Sequence, residues 1–211
     1  MSSVDSQTHV LIFLKAPRPG YVKTRLAKDV GDESACEIYK RLVEHTLQQI
    51  PDELHVTIHF SPADALPEFH EWLGKGYDYQ PQPELDLGGR MSHACELAFK
   101  EKNTHDNARQ VILLGGDCPA ISSAHLVQMH HLLRRGLQVI GPTKDGGYWT
   151  LGLTQSQPEL FLDMEWSTST VFSETTQRLA QASTPFQSLE TLEDVDYLED
   201  WNRQKHHLNR P

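Results

Sequence analysis

The stretch HVLIFLKAPRPG, residues 9–20, decides the fold class of this 211-residue chain. Five consecutive apolar residues, Val10 to Leu14, are typical of a strand that is buried on both faces of a parallel sheet. Two prolines and a glycine in the APRPG segment then interrupt the extended chain. We therefore predict that the first strand covers His9 to Lys15 and that a loop follows it at one edge of a sheet.

Outward from this strand, apolar strand segments alternate with amphipathic helical segments. The predicted strands are residues 9–15, 54–60, 77–80, 110–114, 137–140 and 148–153. The predicted helices are 33–50, 62–73, 90–102, one capped by Ser122 or Ser123, 170–182 and 195–205. This alternation predicts an α/β fold, a single-domain α/β/α sandwich over residues 1–211 with an ordered core over about 9–205 and a mostly parallel, twisted sheet.

Composition and charge narrow the class of protein. Hydrophobic residues make up 38% of the chain and charged residues 23%, as in a globular protein. The formal net charge of -10 repels a phosphate backbone, so we expect no nucleic-acid partner. Apolar runs stay short of the ~20 residues that cross a bilayer, and no basic segment precedes the run at 10–14, so we expect a cytoplasmic protein without a membrane partner. The three widely spaced cysteines are interpreted as buried hydrophobic residues.

Three unusual segments fall where predicted strands end. They are APRPGYVKTRL at 16–26, GGDCP at 115–119 and GPTKDGGY at 141–148. Ligands of open α/β sheets bind outside the carboxyl ends of the strands. The coincidence of the three segments therefore predicts a binding site at that edge.

The first segment brings three cations, Arg18, Lys23 and Arg25, into one stretch of an acidic protein. Lysine offers a point charge and arginine a bidentate fork, and a glycine such as Gly20 lets backbone N–H groups approach an anion. The Gly-Lys-Ser/Thr ending of a Walker loop is missing. The segment predicts phosphate binding, with a solvated basic turn as the alternative.

The other two segments each present a carboxylate. Asp117 follows a buried strand, where it can bind Mg²⁺ or Mn²⁺, and its alternative role is to cap the next helix or turn. Asp145 precedes Gly146 and Gly147, which allow a ligand to approach the backbone closely. The alternative for Asp145 is a plain hairpin turn, for which Asp-Gly is a strong signal.

At these motifs the sequence resembles the GT-A-type nucleotide-diphospho-sugar transferase superfamily. Within it, the chain is similar to a bacterial family of arsenosugar-biosynthesis-type glycosyltransferases that was long a domain of unknown function. The resemblance runs from about Leu11 to Trp201. The motifs that carry it are AP (16–17) with PG (19–20) and VKTRL (22–26), DLG (86–88) with RM (90–91), GDCP (116–119), GP (141–142) with DGGY (145–148), WST (166–168), and DVD (194–196) with ED (199–200). Gly89 departs from the resemblance, which implies an acidic residue at that position.

The resemblance implies roles for individual residues. Asp117 and Asp145 would be catalytic, and Asp117 with Asp196 would hold a divalent metal. The alternative role for Asp196 is to cap a helix. The nucleotide and its phosphates would be bound by Ala16, Pro17, Gly20, Lys23, Arg25, Gly88 and Arg90. The sugar or acceptor would lie against Gly146, Gly147, Tyr148, Trp166 and Thr168, with the ring of Tyr148 or Trp149 stacked on the sugar.

The resemblance also implies a function. We expect a glycosyltransferase that needs Mg²⁺ or Mn²⁺, a nucleoside diphosphate-sugar and a small-molecule acceptor, and that is compatible with a homodimer. One alternative is a nucleotidyltransferase, because the KTRL segment at 23–26 also resembles phospholactate guanylyltransferases and Gly115 stands where an Asp-x-Asp pair would have its first acid. Another alternative is a nucleotide-binding protein without catalytic activity.

Overall fold

The computed structural model describes residues 8–100 and 110–209. Its strands are β1 Thr8–Lys15, β2 His55–Ser61, β3 Asp78–Pro81, β4 Gln110–Leu114, β5 Gln138–Pro142, β6 Tyr148–Leu153 and β7 Phe186–Ser188. Its α-helices are α1 Thr24–Val30, α2 Asp32–Gln48, α3 Leu66–Leu73, α4 Leu87–Lys100, α5 Ser123–Arg134, α6 Val171–Gln181 and α7 Leu198–Gln204. Single 3-10 turns cover Pro158–Leu160 and Lys205–Asn209.

The strands form one mixed sheet in the order β3-β2-β1-β4-β6-β5-β7. β1 pairs in parallel with β2 and with β4, as expected when helices connect the strands. β6 runs antiparallel to both β4 and β5, because a short turn joins β5 to β6 as a hairpin. The predicted fold class, a mostly parallel sheet with flanking helices, is confirmed.

The apolar run of β1 has one hydrophobic cluster on each side of the sheet. Val10, Ile12 and Leu14 pack with the inner faces of α2, α3 and α5. Leu11 points to the opposite side, where it joins Met91 of α4 and residues of α6. Alternate side chains of a strand point to opposite faces, so an uninterrupted apolar run requires helices on both faces.

A third hydrophobic cluster ties together segments that are distant in sequence. Leu26 of α1, Leu42 of α2, and Val195 and Trp201 near the chain end are buried together. The backbone N–H of Val195 also donates to the carbonyl of Asp117, at 3.1 Å. These contacts bring the KTRL segment and the late acidic segment to the end of β4.

Several element boundaries differ from the predictions. α1 and β7 were not predicted, and α3, α4 and α7 begin at Leu66, Leu87 and Leu198 rather than at 62, 90 and 195. The end that the sequence predicts for α4, Lys102, lies outside the described residues, as do residues 1–7. None of the helices within 8–100 and 110–209 is long and apolar enough to span a bilayer. The single domain and the cytoplasmic location stay predictions.

Candidate functional site

Two adjoining cavities open at the sheet edge where β1, β4 and β5 end. The smaller cavity, about 280 Å³, lies between residues 13–15, residues 21–25, Tyr39, Gly116, Asp117 and Asp196. The larger cavity, about 330 Å³, lies between Phe13, Leu87, Met91, residues 113–118, Thr143, Asp145, residues 147–150, residues 166–168, Val171 and Asp194. Phe13, Gly116 and Asp117 line both cavities. The three predicted segments therefore do meet in one cleft.

The smaller cavity is organised around the ammonium group of Lys23. Its Nζ donates to Asp117 Oδ2 at 2.8 Å and lies 3.5 Å from Asp196 Oδ1, and the side chain is 8% exposed. Burial lowers the pKa of Lys23, but the charges of Asp117 and Asp196 outweigh it and leave the pKa above its usual value. Lys23 has left-handed backbone angles, φ 47° and ψ 44°, immediately before α1. This conformation, uncommon for a residue other than glycine, turns the chain from the loop into the helix.

The three cations of the first segment do not lie in one place. Arg25 Nη1 donates to Asp196 Oδ2 at 2.6 Å and lies on the rim of the smaller cavity, with its side chain 58% exposed. Arg18 instead forms a forked pair with Glu68 of α3, with Nε 2.9 Å from Oε2 and Nη2 2.5 Å from Oε1. Arg18 is therefore outside the cleft, and the expectation of three clustered cations is wrong for this residue.

Lys15 adds a cation to the smaller cavity that the sequence predictions missed. Its backbone N–H donates to the hydroxyl of Tyr39 at 3.0 Å, and that hydroxyl contacts the carbonyl of Lys15 at 3.1 Å. Tyr39 is buried on α2, and burial raises the pKa of its hydroxyl far above the usual value, so the group stays neutral. The last residue of β1 is thus fixed by a buried tyrosine. The position of Lys15 at the end of the first strand was the signal in the sequence.

The larger cavity holds Asp145 in a tight turn between β5 and β6. Asp145 Oδ1 accepts a hydrogen bond from Thr143 Oγ1 at 2.6 Å and another from the N–H of Gly147 at 3.0 Å. Gly146 has φ 91°, and a Cβ there would collide with the carbonyl oxygen of Ser169. The turn is therefore a hairpin, which was the alternative interpretation of Asp145 from the sequence. The carboxylate of Asp145 also lines the cleft.

Asp194 joins this cavity and was not predicted as a site residue. Burial, and then the charges of Asp117, Asp145 and Asp196, raise its pKa to about 6. The like charges indicate that four carboxylates share one region of the cleft. The DVD motif at 194–196 was the signal in the sequence.

Aromatic side chains form the remaining wall of the larger cavity. Tyr148 and Trp166 meet edge to face, with ring centroids 6.4 Å apart. The ring of Trp149 points to the other side of the sheet, where its Nε1 donates to the carbonyl of Glu190 at 3.3 Å. Of the two rings predicted for sugar stacking, only that of Tyr148 packs toward this wall. Thr168 also lines the cavity, and its hydroxyl donates to the carbonyl of Glu165 at 2.7 Å.

Other predicted site residues lie behind the cavity walls. Arg90 donates from Nε to the carbonyl of Leu85 at 2.7 Å and from Nη1 to Gln82 at 3.1 Å, so it holds the loop before α4. A Cβ at Gly88 would collide with the indole nitrogen of Trp166, so this glycine allows close packing. Four further predicted residues line neither of the two cavities. Three of them, Ala16, Pro17 and Gly20, lie in the loop after β1, and Gly146 lies in the hairpin turn.

The residues around Lys23 fit a divalent metal. Carboxylate oxygens are the ligands that Mg²⁺ and Mn²⁺ prefer, and these ions often take two carboxylates and complete their shell with water and substrate phosphates. Asp117 and Asp196 already share one cation, the Lys23 ammonium, so their carboxylates can face one positive charge together. Residues 8–100 and 110–209 contain no group of three or more His, Cys, Asp or Glu side chains arranged to hold a metal by themselves.

Comparison with solved structures supports the fold. A crystal structure from Desulfovibrio desulfuricans G20, with the provisional name nucleotide-diphospho-sugar transferase, is 33% identical with a TM-score of 0.86, over 93% of this chain and 85% of that chain. The CMP:2-keto-3-deoxy-manno-octonic acid synthetase complexed with CTP is 12% identical with a TM-score of 0.58, over 93% and 95%. Rv0371C of Mycobacterium tuberculosis H37Rv, complexed with manganese, is 14% identical with a TM-score of 0.53, over 94% and 97%. The last two similarities show the shared fold alone.

Comparison with protein families is more specific. No curated protein matches the chain. Residues 46–168, more than half of the sequence, match the family described as an uncharacterized protein conserved in bacteria (DUF2064). The matched region contains the GDCP, GPTKDGGY and WST motifs of the cleft. The chain therefore belongs to the bacterial family DUF2064.

Proposed function

We propose that the chain is a metal-dependent transferase that moves a glycosyl group from a nucleoside diphosphate-sugar to a small-molecule acceptor. The observation that carries the proposal is the pair of cavities joined at Asp117. One cavity offers cations for phosphate, and the other offers a carboxylate and aromatic walls. The name of the 33% identical structure, nucleotide-diphospho-sugar transferase, agrees with this assignment.

In this proposal the smaller cavity holds the diphosphate. Lys23 would exchange carboxylate oxygens for phosphate oxygens, and Arg25 and Lys15 would each add a charge-assisted contact from the cavity wall. Asp117 and Asp196 would hold Mg²⁺ or Mn²⁺, the class of ion bound by the fold relative with manganese. The metal would neutralise charge that develops on the diphosphate as it leaves.

The larger cavity would hold the sugar and the acceptor. Asp145 Oδ1 is occupied by Thr143 and Gly147, whereas Oδ2 bonds to no group within the described residues. Oδ2 can therefore take the proton of an acceptor hydroxyl while that oxygen attacks the anomeric carbon. The bond from this carbon to the diphosphate breaks, and the nucleoside diphosphate leaves. Tyr148 and Trp166 would exclude water from the sugar.

A second candidate is nucleotidyl transfer from a nucleoside triphosphate to a phosphorylated small molecule. The specific observation in its favour is Lys23 at the carboxylate of Asp117, with Gly115 in the place of a second acid. This arrangement suits attack at an α-phosphate with departure of pyrophosphate. The relative complexed with CTP shares the fold. The resemblance to arsenosugar-biosynthesis-type glycosyltransferases and the homodimer stay predictions.

Phosphorus NMR distinguishes the two reactions. The protein is incubated with Mg²⁺, which is diamagnetic, and a panel of acceptors, together with either sugar nucleotides or nucleoside triphosphates. We expect release of nucleoside diphosphate from a sugar nucleotide, including slow transfer to water, and no release with Asp117→Asn. Formation of pyrophosphate from nucleoside triphosphates, with no reaction of sugar nucleotides, would establish nucleotidyl transfer instead. Binding with no turnover of either donor class would leave a nucleotide-binding protein without catalysis.

A further inference from the structure

The Lys23 ammonium and the proposed metal need the same carboxylate oxygens. Nζ lies 2.8 Å from Asp117 Oδ2 and 3.5 Å from Asp196 Oδ1, and nine-tenths of the side chain is buried. Two positive ions cannot share these oxygens closely, because their repulsion grows as water is excluded. Free metal ion would therefore have to displace a buried lysine from both of its partners.

Displacing Lys23 without a new partner would leave a buried ammonium unpaired, which is strongly unfavourable. Phosphate oxygens in the smaller cavity would supply that partner, since Lys23 lines its wall beside Lys15 and Arg25. Arg25 would keep its own contact with Asp196 Oδ2, at 2.6 Å, so one carboxylate oxygen stays neutralised during the exchange.

We infer that this site takes the metal and the diphosphate as one complex, with Lys23 exchanging carboxylate oxygens for phosphate oxygens as they enter. The inference rests on the proposed function, because it assumes the metal and the phosphates in this cleft. It adds an order of binding: free metal competes with Lys23, whereas the metal–diphosphate complex does not. Lys23 would thus weaken the affinity for free metal and strengthen the affinity for diphosphate.

The test uses two probes separately, Mn²⁺ alone and inorganic diphosphate alone. Electron paramagnetic resonance counts free Mn²⁺, and calorimetry follows diphosphate in metal-free buffer. For Lys23→Met we expect Mn²⁺ to bind about 10-fold more tightly than to the unchanged chain and diphosphate about 10-fold more weakly, the scale of one charge-assisted contact. Lys23→Gln keeps a polar side chain but removes the charge. Like Lys23→Met, it should bind Mn²⁺ more tightly and diphosphate more weakly than the unchanged chain does.

Lys40→Met is the matched control. It removes the same charge from α2, outside both cavities, where Lys40 pairs with Glu37 at 3.0 Å. It should change neither affinity more than about 2-fold. Opposite signs for the two probes in the Lys23 variants support exchange, because a merely structural role would weaken both.

Three results would overturn the inference. In the first, Mn²⁺ affinity falls or stays the same in both Lys23 variants while diphosphate binding is lost, so Lys23 binds phosphate but does not compete with metal; the proposed function would survive. In the second, Lys40→Met tightens Mn²⁺ binding as much as the Lys23 variants do, so net charge is the cause. In the third, Mn²⁺ and diphosphate fail to bind the unchanged chain and both Lys23 variants, whether added separately or together, and the proposed function falls together with the inference.

Discussion

The two cavities of the cleft lie side by side but balance their charges differently. In the smaller cavity, Asp117 and Asp196 face cations, with Lys23 2.8 Å from one and Arg25 2.6 Å from the other. In the larger cavity, Asp145 is held by neutral donors, a hydroxyl and a backbone N–H. Its neighbour Asp194 has a pKa raised to about 6, first by burial and then by the surrounding carboxylates.

This difference follows from which segments line each cavity. The segment from the end of β1 to the start of α1 supplies lysine and arginine to the smaller cavity. The hairpin between β5 and β6 supplies a carboxylate and Tyr148 to the larger cavity, and Trp166 completes its aromatic wall. A cavity lined by cations suits a ligand that brings negative charge. A cavity with carboxylates and rings suits a ligand with hydroxyl groups and apolar faces.

The largest expected effect distinguishes the carboxylate that lines both cavities, Asp117, from the one that lines only the larger cavity, Asp145. Asp117→Asn should lower turnover on the order of 100-fold or more and abolish metal-stimulated nucleotide binding, because Asp117 belongs to both cavities. Asp145→Asn should lower turnover as well but leave nucleotide affinity within about 2-fold, since Asp145 lines only the larger cavity of the two. Calorimetry with the nucleotide and steady-state rates measure the two quantities, and melting curves verify that both variants fold. Equal losses of nucleotide affinity in both variants would show that the cavities are not separate in function.

A smaller effect concerns the turn that supports the larger cavity. Gly146→Ala should lower the free energy of unfolding by roughly 2–3 kcal/mol, because its Cβ would meet the carbonyl of Ser169 and its φ of 91° is unfavourable for alanine. Gly136→Ala is the control for backbone strain alone, since Gly136 has φ 81° and an added Cβ would meet no atom within 4 Å. It should cost about 1 kcal/mol in urea denaturation. Equal costs for the two variants would mean that the turn does not need its contact with Ser169.

The smallest effect compares two arginines from the same segment. Arg25→Ala should weaken nucleotide binding by about 1 kcal/mol, because the guanidinium is at the rim of the smaller cavity and largely exposed. Arg18→Ala removes the same charge but breaks a pair with Glu68 outside the cleft, so nucleotide affinity should stay within about 2-fold. Calorimetric titration checks both values. A larger loss for Arg18→Ala would place the phosphates against the loop at 16–20 instead.

The elements predicted best are those with strong local patterns. β4 and β6 have the predicted bounds, Gln110–Leu114 and Tyr148–Leu153, because their mostly apolar residues directly adjoin the glycine pairs at 115–116 and 146–147. The sequence predictions missed one element at the site, the seven-residue helix α1. It follows Lys23, whose backbone angles are left-handed. Helices this short are stabilised by tertiary packing, here by Leu26 against Val195 and Trp201, which no local pattern contains.

The sequence predicted several residues that line the candidate site, but it did not predict which charged residues pair with one another there. Lys23, Asp117 and Asp145 were expected in the cleft and do line it, and their roles stay proposals. Lys15 and Asp194 were missed, because a single charged residue at the end of a strand or before a helix is common in any α/β protein.

The sequence by itself determined where strands end and which charged residues follow them, because apolar runs, prolines and glycines act over a few residues. The tertiary structure alone decided which charges meet. Lys23 pairs with carboxylates 94 and 173 positions away, and Arg18 turns aside to Glu68, 50 positions away. These distances along the chain are closed by the packing of Leu26 and Val195 and by the order of strands in the sheet. A charge interacts with whatever lies within a few ångströms of it, so pairs between residues this far apart in sequence depend on the fold and not on a local pattern.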